Sequence, residues 1–111
     1  MRYSKSVDRL FDAVLYDEDG RRVGGVESVY LDDSSGRPAW VTVLFGLLGR
    51  HVTYVPLSGA RVEDQRIHVP FSKSQIRSAP RIVPRQHLYP NEERRLLEHY
   101  SDDPPLEAAT R

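Results

Sequence analysis

Runs of apolar residues broken by turn signals dominate the first 70 positions. Ala13 to Tyr16 predicts a short strand. Asp17 to Gly20 then predicts a turn, because Asp starts turns and Gly accepts a positive φ. Val23 to Leu31 predicts a longer strand, with Val29 and Leu31 on one face and Ser28 and Tyr30 on the other. Gly24-Gly25 inside it predicts a bulge or a sharp bend. A second turn spans Asp32 to Gly36. The strand from Pro38 to Phe45 is apolar on both faces, as expected when both are covered. Gly46-Leu47-Leu48-Gly49-Arg50 is a loop with two leucines between glycines, and Val52 to Val55 is a strand stopped by Pro56. Ala60 to Val62 and Ile67 to Val69 form a last hairpin around Glu63-Asp64-Gln65. Short strands at regular spacing predict a small, bent antiparallel β-barrel, whose closure removes exposed edges.

The pattern changes after Pro70. Ser72 caps a short helix over Lys73 to Ser78, which ends at Ala79-Pro80. Arg81 to His87 reads as an extended linker. Pro90 opens a second helix to about Tyr100, with Glu92 and Glu93 at its positive end and Leu96, Leu97 and Tyr100 as its apolar stripe. At the other terminus, Ser6 caps a helical turn over Val7 to Phe11 that tucks Leu10 and Phe11 under the sheet. The resulting division is a β-barrel over 7–70, a helical extension packed on it over 71–100, and a frayed tail over 101–111.

Composition adds limits. The 111 residues suit one domain, and with no cysteine there is neither a disulfide nor a thiolate metal site. Neither a secretory signal nor a run of membrane-span length is present, so a cytoplasmic protein without membrane insertion is expected. Sixteen basic and sixteen acidic residues cancel, which removes bulk attraction to nucleic acid or anionic lipid. Their distribution is uneven. Gln65 to Asn91 holds no acid but carries Arg66, Lys73, Arg77, Arg81 and Arg85, and Glu92, Glu93, Glu98, Asp102, Asp103 and Glu107 follow. Such adjacent blocks suit self-association or an acidic partner, or are two solvated faces.

Reactive constellations are weak. His51, His68, His87 and His99 lack i, i+4 spacing, and only His51 with His68, if on neighbouring strands, would offer two metal ligands. Asp17, Asp19 and Gly20 begin like a calcium loop but lack its later ligands, so a hairpin turn explains them better. Gly20, Gly24 and Gly25 lack dinucleotide-loop spacing, and Ser58 is not in a nucleophile elbow. Neither an enzyme nor a cofactor is expected. Trp40 reads as a core anchor. Leu47 and Leu48 either plug one barrel end or offer an apolar contact.

The ordered segments Asp19-Gly20-Arg21-Arg22-Val23-Gly24-Gly25-Val26, Tyr30-Leu31-Asp32 and Gly36-Arg37-Pro38-Ala39-Trp40-Val41-Thr42-Val43 resemble the PRC-barrel domain family. So do Gly46-Leu47-Leu48-Gly49, Val55-Pro56-Leu57-Ser58-Gly59-Ala60, Val69-Pro70-Phe71-Ser72-Lys73, Ala79-Pro80, and Glu92-Glu93 ahead of His99-Tyr100. The likeness covers about residues 7–100 and is greatest to stand-alone bacterial, actinobacterial-type members. It implies a small bent β-barrel that docks onto other proteins, with no catalytic residue to carry over. Where relatives often have Ser or Asp before the second helix, this chain has Tyr89, so a good cap worth about 1 kcal/mol is lost.

Two functions follow as expectations. The first is a non-catalytic protein-interaction module, homodimeric, using an exposed apolar strip and the C-terminal helices, with Leu47, Leu48, Arg77, Arg81, Arg85, Leu96 and Tyr100 as partner-binding candidates. The alternative is an RNA- or ribosome-associated maturation factor using Arg66, Lys73, Arg77, Arg81 and Arg85. The absence of an aromatic stacking cluster favours the first.

Overall fold

One long strand organises the molecule. The computed structural model describes residues 2–4, 12–83 and 87–101. Strand β3 (Arg22–Leu31) lends one edge to two partners: β2 (Val14–Tyr16) pairs with its first half and β1 (Arg2–Ser4) with its last residues. Its other edge pairs with β4 (Pro38–Phe45), which pairs in turn with β5 (His51–Pro56). The hairpin of β6 (Arg61–Glu63) and β7 (Arg66–His68) joins on the far side of β2. The path is therefore β5-β4-β3-β2-β7-β6, with β1 off it.

Two corrections follow. The sheet is not closed: among the described residues its ends, β5 and β6, do not pair. It is also not wholly antiparallel, because β2 and β7 run parallel, bound through Val14 N–H to Gln65 O and Val69 N–H to Tyr16 O. After β7 the described chain forms helices and no further strand that could join the two ends; the first of them, α1 (Lys73–Arg77), packs against β5, where the Thr53 hydroxyl donates to the Ile76 carbonyl. Strand β1 and its pairing carried no recognisable signal in the sequence. The helical turn expected over 7–11 and most of the tail expected over 101–111 lie outside the described residues.

The predicted strands otherwise form within one or two residues of their expected ends. Asp17 accepts from the backbone N–H groups of Asp19 and Arg21 at 2.9 and 2.8 Å, which is the hairpin turn rather than an ion loop. At the next turn Asp32 accepts from both the N–H and the hydroxyl of Ser35, and these bonds hold its carboxyl below the ordinary range. The register breaks between Leu15 and Tyr16 opposite the Gly24 region, and again between Val26 and Ser28, so β3 bends where the glycines and Glu27 lie.

Both faces of β3 and β4 are covered, so strict in–out alternation fails there: Val29 and Tyr30 are both buried, as are Trp40 and Val41. Trp40 is a core residue, as its size predicts. The buried hydroxyls of Ser28 and Thr42 bond to one another, and the Thr42 hydroxyl donates to the Glu27 carboxylate. The helices complete the core. Ser72 caps α1 by accepting from Gln75 N–H at 3.0 Å. In α2 (Pro90–Ser101) the Glu92 carboxylate reaches back to Tyr89 N–H at 3.1 Å, half of a capping box, which offsets the missing Ser or Asp. Tyr100 packs beside Trp40 and Phe71, and its hydroxyl donates to the Tyr54 carbonyl at 2.7 Å. Burial pushes its ionisation well above the ordinary tyrosine range.

Candidate functional site

The turn between β4 and β5 carries the most exposed apolar side chains among the described residues. Leu47 is 85% and Leu48 78% accessible. Local geometry puts them there. Gly46 adopts φ 84°, and a Cβ on it would lie 2.8 Å from the His51 ring. Leu47–Gly49 form one 3-10 turn, with Gly49 N–H bound to Gly46 O at 3.1 Å. Within it Leu48 is held at φ 61°, a left-handed conformation that costs a non-glycine residue about 1 kcal/mol. The chain thus spends backbone strain to present two leucines to water. The reading in which these residues plug the body fails on their exposure.

Behind the leucines stands a cationic collar. Phe45 and His51 close the β4–β5 ladder, with ring centroids 5.4 Å apart. The Arg77 guanidinium carbon lies 5.9 Å from the Phe45 ring centroid, within cation–π range. The Arg81 guanidinium, which can only donate, lies 3.2 Å from His51 Nδ1. Arg50 is exposed at the start of β5. Neither Phe45–Thr53 nor Lys73–Arg81 contains a carboxylate. Burial of Ile76 under α1 and the Thr53–Ile76 bond bring Arg77 and Arg81 to this end of the sheet.

The structure therefore unites four of the seven candidates, Leu47, Leu48, Arg77 and Arg81. Leu96 and Tyr100 do not join them. They are 0% and 6% accessible and belong to the core, because α2 turns that stripe inward and leaves Leu97 exposed instead. Arg85 lies outside the described residues. Of the basic positions read as one block, Arg66 sits apart on β7, in register with Glu63 and far along the strand order from β5, while Lys73 shares α1 with Arg77. His51 and His68 are not on neighbouring strands; β5 and β7 are separated by β4, β3 and β2, and His68 stacks on Tyr16 at 5.2 Å. Among the described residues no three His, Cys, Asp or Glu side chains gather where they would hold a metal. Sequence reasoning missed Phe45, Arg50 and His51 as parts of the collar. The legible signal was the adjacency of Arg50-His51 to the glycine-bracketed leucines.

A family model described as the PRC-barrel domain matches residues 5–76, which spans β2 to β7, the leucine turn and α1 almost to its end. No curated protein matches the chain.

Proposed function

Because the chain belongs to the PRC-barrel domain family, we propose that it is a non-catalytic docking module that self-associates and holds a protein partner at the β4–β5 turn. The carrying observation is the strained Leu48 beside Leu47, both bare to solvent inside a collar of Arg50, Arg77 and Arg81. Burying two leucine side chains is worth roughly 1.5–3 kcal/mol each, enough for a binding hot spot. The collar selects a partner whose apolar recess is edged by carboxylates, through steering and charge-assisted bonds. Among the described residues no group at the turn is arranged as a nucleophile with its base: His51 is engaged by Arg81 and lies tilted beside the Phe45 ring. An RNA-binding role would draw on the same Arg77 and Arg81, and the separation of Arg66 on β7 from them weighs for the protein partner.

Capture from native lysate tests this reading. The wild-type domain retains a discrete partner, Leu47→Ser/Leu48→Ser loses it, and both proteins melt at the same temperature. Equal retention by the double variant removes the turn from the function.

A further inference from the structure

Strand β6 forms one end of the sheet, and among the described residues it pairs with β7 alone. All three of its residues, Arg61-Val62-Glu63, are exposed. Such an edge is a template for another strand unless something repels the newcomer. A like-charged edge would repel a second copy of itself. This one does not. Its charges are opposite and placed symmetrically about Val62, so an antiparallel copy centred there sets Arg61 against Glu63 of the second copy, and Glu63 against its Arg61. The sequence is self-complementary under a two-fold axis, the symmetry of the commonest dimers.

The backbone and the faces agree with this pairing. Glu63 and Arg66 flank the two-residue turn Asp64-Gln65, with Asp64 at φ 56°. Residues flanking a two-residue hairpin turn exchange ladder bonds, so the next residue out, Val62, directs its N–H and C=O away from β7. Two copies meeting at Val62 would exchange those groups. Val62 is in register with Ile67, which is fully buried, so its side chain lies on the core-facing side of the sheet, yet it remains 47% accessible. A second β6 would lay its own Val62 alongside and cover that bare margin. Arg61 and Glu63, on the other face, already approach within one chain at 3.4 Å, and pairing would turn this contact into a ring of four alternating charges.

We propose that the domain forms a two-fold dimer by antiparallel pairing of β6, centred on Val62, with Arg61 and Glu63 each opposite the other in the second copy. The inference rests on the self-associating part of the proposed function and supplies its surface. It leaves the leucine turn free in both copies. The pairing is short, so the dimer is weak and concentration-dependent.

Sedimentation equilibrium on the full chain, from micromolar to about 1 mM, tests it. The wild type dimerises. Arg61→Glu or Glu63→Arg alone places like charges opposite each other twice, once on each side of the axis, and weakens the dimer about tenfold or more. The double exchange Arg61→Glu/Glu63→Arg restores complementarity and brings the dissociation constant back to within about threefold of wild type. Each of these residues is exposed, so circular dichroism spectra stay unchanged. A dimer indifferent to both single exchanges, or one that the double exchange fails to restore, overturns β6 as the surface while self-association stands. A monomer throughout the range overturns both, and neither result bears on docking at Leu47 and Leu48.

Discussion

Gly24 lies directly against the backbone of Leu44: a Cβ added to it would sit 1.7 Å from the Leu44 carbonyl oxygen and 2.8 Å from its carbon. Backbone, unlike a flexible side chain, cannot give way cheaply. Gly24→Ala therefore forces β3 and β4 apart where Gly25 pairs with Leu44, and we expect a loss of roughly 3 kcal/mol. Its neighbour is the control. A Cβ on Gly25 meets nothing within 4 Å, so Gly25→Ala is neutral or slightly stabilising. Urea unfolding of the two variants side by side checks the contrast.

Leu48 gives the opposite sign. Leu48→Gly relieves a left-handed backbone at φ 61° and removes a side chain that touches little, so stability rises, by about 1 kcal/mol at most. Partner retention falls. Thermal melts paired with capture reveal whether stability and docking move in opposite directions, as they do where strain serves function.

Tyr100→Phe removes the hydroxyl that donates to the Tyr54 carbonyl in the core, at a cost of about 1–2 kcal/mol near neutral pH. It also changes the alkaline limb of stability. Burial raises the folded-state ionisation of Tyr100 above its ordinary value of 10.0, so the unfolded chain releases this proton first. The resulting stability is fully present below that value and is lost as pH rises from it toward the folded-state value. The Phe variant has no such proton to lose. Its deficit relative to wild type should shrink as pH climbs past 10.0, measured by denaturant unfolding at stepped pH.

Ser72→Ala deletes the cap of α1, whose oxygen accepts from Gln75 N–H, and costs about 1 kcal/mol. Because α1 carries Arg77 over the Phe45 ring, the same change loosens one side of the collar. Amide exchange should rise at Gln75 and Ile76 before it rises in β3.

The strands were legible because turn chemistry and apolar runs coincide: Asp17-Glu18-Asp19-Gly20 and Asp32 to Gly36 behave as their residues require. Closure was not legible. Nothing local distinguishes a sheet whose end strands meet from one whose end strands stay apart, and the Thr53–Ile76 bond that holds α1 against β5 joins residues 23 apart. The parallel β2–β7 pairing is likewise a long-range choice, invisible to periodicity. At the candidate site Leu47 and Leu48 stood out as leucines between glycines, but whether they turned inward depended on φ at Gly46 and Leu48. Leu96 and Tyr100 show the converse limit. A helical stripe marks a face that is buried against something, and here that something is the chain's own sheet.

Docking through the leucine turn is tested most directly by a photo-activatable cross-linker placed at position 47 or 48 in native cells, with the exposed turn residue Ser58 as the comparison site. The account predicts one discrete protein adduct from 47 and from 48, absent from 58, and lost when Arg77 and Arg81 are both changed to Glu. Equal labelling from all three sites, or an adduct that survives reversal of the collar's charge, would contradict it.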